Sequence, residues 1–239
     1  MRKLIAAALV AASASACGQG HAENGGPTTS RNYQVGNFQQ IEIAGPYNVE
    51  VRTGAKPGVS GEGPEKLLER TVVEVRGDKL VIHPQQHNGW FGGWSSHGSA
   101  RFTVTVPQLR GAAIGGSGNI NVDRVQGPSF EGEIGGSGNL NVASVDVQSL
   151  KLEIGGSGSV KAGSGKAQTA EYSIGGSGDV DAGAVAAQQL KVSIAGSGGV
   201  RAHSSGTADV SIMGSGDVEI GGGAKCNVSK MGSGSVRCS

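Results

Sequence analysis

Residues 114–122 read I-G-G-S-G-N-I-N-V, and the pattern of this stretch recurs along the rest of the chain. Its central G-S-G places a serine at positions 117, 137, 157, 177, 197, 215 and 233, at spacings of 20 and then 18 residues. A fixed period of this length is typical of a solenoid in which each repeat forms one coil. The repeat therefore predicts a stack of coils of about 20 residues rather than a single rounded core.

Apolar and polar residues alternate on both sides of each G-S-G corner. The positions three and five residues after the serine are apolar or cysteine in every copy, from Ile120 and Val122 to Val236 and Cys238. A second alternating run precedes the next corner, as in residues 150–154, L-K-L-E-I. Alternation with a period of two indicates strands with one buried face. The predicted fold class is all-β, a single-stranded parallel β-helix that is right-handed because parallel crossover connections are.

The outward positions of the predicted strands carry charges whose sign alternates from coil to coil. Two such columns occur: Lys161, Asp181, Arg201, Glu219 and Arg237 in one, and Glu131, Lys151, Glu171, Lys191 and Asp209 in the other. Stacked strands lie about 4.8 Å apart, so neighbouring members of a column would face each other. Opposite charges at such positions contribute roughly 0.2–1 kcal/mol each and like charges oppose pairing, so both columns favour one register.

The N-terminus is typical of an exported bacterial protein. Residues 1–16 have a basic start, an apolar run too short to span a bilayer and a small-residue cleavage site, as in a signal peptide. Cys17 follows directly, as in lipoproteins in which the cysteine is lipidated; ordinary cleavage at the same site is the alternative. Residues 17–34 are polar and rich in Gly, which predicts a flexible tether.

The repeated I-G-G-S-G-N-I-N-V unit, after an N-terminal F-x-x-I-x-I segment at 38–43, resembles the head GIN domain of auto-transporter adhesins. The resemblance covers residues 35–239 and implies a β-helix in the bacterial envelope with no catalytic residues. We divide this domain into an irregular N-terminal part, residues 35–110, and regular coils, residues 111–239. Strand-like runs at 71–76, 79–83 and 101–106 lie in the irregular part, which we expect to cap the stack.

The sequence favours a protein that is not an enzyme and has no cofactor or metal. Asp179, Asp181, Asp217 and Glu219 should share one outward face, and paired carboxylates can hydrolyse a glycoside or bind a cation. Arg201 lies between two of them, so a solvated charge ladder explains the group better. A net charge of +1 without a basic face predicts no nucleic-acid partner.

Both tryptophans of the chain lie in one Gly-rich stretch, where Trp90, Phe91 and Trp94 form an aromatic group. Exposed aromatic groups on loops are typical of binding surfaces. We expect these residues to contact a surface ligand, a glycan or a protein; a loop folded over the core is the alternative.

Cysteine positions predict one disulfide. If Cys17 is lipidated, Cys226 and Cys238 remain as a pair, at inward positions of the last two strands on either side of the last corner.

The function expected from the sequence is that of a surface adhesin or structural binding module. The chain would lie in the cell envelope, lipid-anchored to the outer membrane or in the periplasm. The alternatives are a carbohydrate-active β-helix enzyme and a periplasmic scaffold or sensor that binds another envelope protein.

Overall fold

The computed structural model describes residues 26–85 and 99–239, and these form a β-helix with one short helix. All nineteen strands of these residues belong to one continuous sheet. The strands of the N-terminal part are β1 (Thr28–Tyr33), β2 (Gln40–Ile43), β3 (Asn48–Thr53), β4 (Gly58–Pro64), β5 (Thr71–Arg76), β6 (Lys79–Pro84) and β7 (Arg101–Val106), with α1 (Glu65–Glu69) after β4. Those of the regular coils are β8 (Gly111–Ile114), β9 (Asn119–Val122), β10 (Val125–Ile134), β11 (Asn139–Val142), β12 (Val145–Gly156), β13 (Ser159–Ala162), β14 (Gly165–Gly176), β15 (Asp179–Gly196), β16 (Gly199–Gly214), β17 (Asp217–Gly221), β18 (Lys225–Gly232) and β19 (Val236–Cys238).

Successive coils stack in parallel with the register that the repeat predicts. Strand β11 pairs with β9 so that Leu140 faces Ile120, one period earlier in the chain. Strand β12 pairs with β10 in the same way, and Leu150 faces Phe130. The parallel β-solenoid predicted from the sequence is therefore confirmed.

The interior of the stack is a set of apolar columns. The alternation predicts that Val122, Leu152 and Ile174 point inward, and all three are buried. The inward residue before each corner is isoleucine in six successive coils, at 114, 134, 154, 174, 194 and 212. Full burial of such a side chain contributes roughly 1.5–3 kcal/mol, so these columns supply much of the driving force for folding.

The long strand of each coil begins earlier than the sequence indicated. Strand β12 starts at Val145, within the stretch expected to be a variable link, because Val145 and Val147 also point inward. Pairing between β10 and β12 is interrupted at Pro128 and Gln148, and we call this interruption the bend. The same interruption recurs at Gln168 and Gln188 in the following coils, so the bend runs along the stack.

The N-terminal part closes one end of the stack by an unexpected order of strands. Strands β2 and β3 stack on β8 and β9, with Ile43 facing Ile114. The later strands β6 and β7 then stack in parallel on the outer side of β2 and β3. Antiparallel strands β5, β4 and β1 pair outside these, and the parallel stack ends there.

Large side chains fill this capped end. The ring of Tyr47 packs edge-on against Phe102 with centroids 5.5 Å apart, and Tyr33 packs against the same ring at 6.1 Å. The hydroxyl groups of Tyr47 and Thr71 are hydrogen-bonded at 3.2 Å, and Thr71 donates to the carbonyl of Leu67 at 2.8 Å. The cap therefore has a cluster of aromatic rings in contact with one another, whereas the coils bury single rings at Phe130 and Tyr172.

The predicted tether, residues 17–34, is wrong at its C-terminal limit. Residues Thr28–Tyr33 form β1, which pairs antiparallel with β4 over its whole length. The packing of Tyr33 against Phe102 explains why this polar segment is ordered. The remainder of the predicted tether lies largely outside the described residues.

Burial of Tyr172 predicts a stability loss at alkaline pH. Its side chain lies in the core, and desolvation raises the pKa of its hydroxyl above the usual 10.0. The unfolded chain therefore ionises first: the contribution is complete below about pH 10 and is lost as the pH rises towards the folded-state pKa. We expect Tyr172→Phe to move the alkaline unfolding midpoint, measured by circular dichroism, to higher pH. Equal midpoints for the two proteins would contradict this expectation.

Candidate functional site

The charges on the long-strand face pair with one another along the stack. Lys151 Nζ lies 2.8 Å from Glu131 Oε1 and 2.9 Å from Glu153 Oε1, and these hydrogen bonds raise the pKa of Lys151. Lys191 Nζ lies 2.7 Å from Glu171 Oε1 in the same column. Exposed pairs of this kind contribute little to stability because solvent screens them. Their role is to favour the correct register, as the sign alternation predicted.

The carboxylates of the short-strand face also have partners. Arg201 lies 3.9 Å from Asp181 Oδ2 and 3.5 Å from Glu219 Oε2. Asp179 Oδ1 accepts the backbone N–H of Gly199 at 2.8 Å. A glycosidase acid needs a carboxyl group whose pKa is raised. This face instead has the arrangement of the predicted charge ladder.

Asp217, the remaining carboxylate of that face, is held in its ionised form. Its Oδ1 accepts hydrogen bonds from the backbone N–H of Ser235 at 2.9 Å and from the Ser235 hydroxyl at 2.5 Å. These bonds lower the pKa of Asp217. The direction is opposite to that required of a general acid.

Asparagine side chains form a ladder on the same face that sequence reasoning missed. Asn119 Nδ2 donates to Asn48 Oδ1 at 2.7 Å, and Asn139 Nδ2 donates to Asn119 Oδ1 at 2.8 Å. The Ser159 hydroxyl continues the ladder to Asn139 at 2.6 Å. The period of 20 residues between asparagines was the signal that could have revealed it. These amides are satisfied by one another.

A groove of about 780 Å³ with both polar and apolar lining residues follows the bend of the long strands across several coils. One glutamine per coil lines it, at positions 148, 168 and 188, and Asp146 and Lys166 lie 3.8 Å apart at its side. The spacing of these glutamines was a second signal that sequence reasoning did not use. The groove has hydrogen-bonding groups at each coil, which suits an extended ligand.

The predicted aromatic contact, Trp90, Phe91 and Trp94, lies outside the described residues. The two flanks of that segment are placed at the capped end. The Gln85 backbone N–H donates to the carbonyl of Arg70 at 2.7 Å, and the carbonyl of Ala100 accepts from Asn48 at 3.0 Å. Cys17, the predicted lipidation site, also lies outside the described residues. Among the residues described, there is no helix of the length and apolarity that crossing a bilayer requires.

The opposite end of the stack is formed by β18 and β19, which the predicted disulfide joins. The Cys226–Cys238 bond is present, with the Cα atoms 6.6 Å apart, and the prediction is confirmed. Within the described chain, the large hydrophobic side chains that are exposed all lie near this end: Met213 (63%), Val228 (45%) and Met231 (71%).

The isoleucine column ends in a lysine at the disulfide-bonded end. Lys230 pairs with Ile212 and occupies the inward position that isoleucine holds in the preceding coils. Its Nζ donates to the carbonyl of Gly234 at 2.7 Å. In interior coils the equivalent carbonyl accepts a backbone N–H of the next coil, as Gly158 does from Asp179. Lys230 therefore supplies a hydrogen bond that another coil would otherwise give.

The family described as "Putative auto-transporter adhesin, head GIN domain" matches residues 37–224 of the chain. None of the curated proteins compared with it matches the chain.

Solved structures share the fold at low sequence identity. A putative adhesin from Bacteroides fragilis has a TM-score of 0.79 and 22% identity, over 89% of this chain and 97% of that one. A "putative lipid binding protein" from Parabacteroides distasonis has a TM-score of 0.69 and 22% identity, over 90% and 97% of the two chains. A putative adhesin from the same organism has a TM-score of 0.67 and 20% identity, over 90% and 98%.

Proposed function

Because the chain belongs to the head GIN domain family, we propose that it is a non-enzymatic adhesive module of the bacterial cell envelope. The observation that carries this proposal is the pairing of outward charges with each other along the coils. Arg201 between Asp181 and Glu219 is the clearest case, because those carboxylates were the candidates for glycoside hydrolysis. A filled interior and a self-paired surface suit a rigid support better than a catalyst.

Anchoring in this proposal is through lipidated Cys17 after removal of residues 1–16. The described chain starts at residue 26, close to β1, which is one of the strands that close the capped end. An anchor on the N-terminal segment would therefore connect to the solenoid at this end. The adhesin description of the family supports a location in the cell envelope, and within it we propose the outer membrane or the periplasm.

The ligand contact in this proposal is made by Trp90, Phe91 and Trp94. The rigid capped end holds both flanks of their segment, and loops on a rigid scaffold commonly carry binding residues. Tryptophan is enriched at binding hot spots, and aromatic rings stack on sugars or fill pockets of a protein partner. A glycan or a protein on a facing surface fits this chemistry.

The double variant Trp90→Ala/Trp94→Ala tests this contact. We expect it to abolish adhesion to cells or binding on a glycan array while leaving the melting temperature nearly unchanged. If the two rings instead cover the core, each substitution would cost roughly 3–5 kcal/mol of stability. A large fall in melting temperature, or unaltered adhesion, would therefore contradict the proposed contact.

The scaffold or sensor role remains a second candidate because the groove along the bend offers glutamine amides to an extended partner. Capture of one envelope protein by the wild type in the absence of adhesion would favour it.

A further inference from the structure

We infer that the disulfide-bonded end of the solenoid is a second contact surface, which docks end-on to an anionic lipid bilayer. This inference rests on the proposed function, because it gives a binding role to one end of an envelope adhesin. That end lies opposite the capped, anchored end. The surface consists of the last coil, residues 225–239, together with Met213 in the coil above.

The apolar part of this surface is not required by the fold. Met213 and Met231 occupy the outward position before the corner, where the preceding coils have Gly155, Gly175 and Ala195. The core therefore gains nothing from two methionines there, and both side chains are mostly exposed. Val228 adds an exposed apolar side chain on the open end itself. Exposed apolar groups that cluster in this way are typical of interaction surfaces.

The charge of the last coil indicates an anionic partner. Residues 225–239 include Lys225, Lys230 and Arg237 but neither aspartate nor glutamate, and all three basic side chains are exposed. Lys225, Lys230 and Arg237 give residues 225–239 a formal side-chain charge of +3, whereas the whole chain has a net charge of +1. Asp217 and Glu219, carboxylates of the preceding coil, belong to β17, the strand that β19 covers. Basic residues beside apolar side chains are the composition of surfaces that bind anionic lipid headgroups.

The dimensions of the end agree with interfacial insertion. Met213 and Met231 face each other in adjacent coils, about 4.8 Å apart along the axis. Apolar groups at a membrane interface enter to a depth of about 5–10 Å, so both methionines are within reach when the end faces the bilayer.

A second copy of the chain is a poorer occupant. Lys230 lies at an inward position of the uncovered end, and end-to-end stacking of two copies would remove its charge from water. Inward-pointing charges at a sheet edge are a common means of preventing edge-to-edge association. The same charge is favourable beside an anionic headgroup.

The test is sedimentation of the full chain carrying Cys17→Ala, which has no lipid, with phosphatidylcholine vesicles that contain or lack 30% phosphatidylglycerol. We expect at least tenfold tighter binding to the anionic vesicles, and weaker binding at high salt. Lys225→Gln/Lys230→Gln/Arg237→Gln should lower the partition coefficient roughly 100-fold, since each basic residue contributes about 1 kcal/mol at such a surface. Met213→Gln/Met231→Gln should lower the partition coefficient about tenfold. This variant leaves Lys230 and its hydrogen bond in place.

The matched control is Lys161→Gln/Lys166→Gln/Lys191→Gln, which makes the same change in net charge on middle coils. It should alter binding by less than about twofold if the end-on orientation is correct. Equal loss in the control, or equal binding to both kinds of vesicle, would overturn the inference. Cell adhesion that depends on Trp90 and Trp94 would persist in that case, so the failure would leave the proposed function standing.

Discussion

Gly176→Ala is expected to lower the free energy of unfolding by roughly 3–5 kcal/mol. Gly176 has a φ of +143°, a region that residues with a Cβ atom rarely adopt. An added Cβ atom would lie 2.3 Å from the carbonyl oxygen of Gly156, the equivalent residue of the preceding coil. Neither atom can move freely, because the corner backbones are hydrogen-bonded from coil to coil, as Ser177 N–H is to Gly156.

The neighbouring glycine of the same corner provides the control. A Cβ atom on Gly175 would make only an ordinary contact, 3.8 Å from the carbonyl oxygen of Ile154. The next coil already has Ala195 at this position. Gly175→Ala should therefore change the free energy of unfolding, measured in urea, by less than about 1 kcal/mol. A similar small change for Gly176→Ala would show that the corners are not in close contact.

The regular coils could be predicted in detail because a stacked coil repeats its register in the sequence. Once Val122 and its equivalents were placed inward, the pairing of every coil followed from the period of 18 or 20 residues. The alternation of charge along the Arg201 column gave independent support, and its ion pairs are present. The pattern of each column therefore recurs many times in one chain. A single pair of strands shows its register only once.

The capped end could not be predicted in the same way. Strands β6 and β7 follow β3 in the chain but stack outside it, and no repeat in residues 54–110 indicates that order. Strand β1 was missed because its sequence, T-T-S-R-N-Y, has little apolar character apart from Tyr33. Strand β1 forms because it pairs with β4 and because Tyr33 contacts Phe102. Both partners are distant from β1 in the sequence.

The features of the candidate site also differ in how well the sequence predicts them. The disulfide was predictable because Cys226 and Cys238 fall in columns that the repeat defines. The exposed methionines were not noticed, because an apolar residue at an outward position interrupts the alternation without any local signal of its purpose. Trp90, Phe91 and Trp94 lie between two strands outside the periodic region, and their role stays a prediction.

Cys226→Ser/Cys238→Ser is expected to destabilise the last coil more than any other part of the molecule. The bond closes a short loop, with a sequence separation of 12, and a loop of this size contributes about 3 kcal/mol in the chain-entropy model. The last coil needs this contribution because only one side of it is covered. Val228 is 45% exposed, whereas Val210, its equivalent in the preceding coil, is buried.

Hydrogen exchange and thermal unfolding of this variant distinguish a local effect from a global one. We expect amides of residues 225–238 to lose protection, because the coil frays when its two strands are no longer joined, while amides of β14 exchange as in the wild type. Ser233→Ala, in the corner between the two cysteines, is the control and should leave both measurements unchanged. Unchanged protection at 225–238 in the double variant would mean that Lys230 and the parallel pairing with β16 and β17 hold the last coil without the covalent bond. Loss of protection there would instead identify the disulfide as the element that keeps the basic and apolar end in one shape, as a docking surface requires.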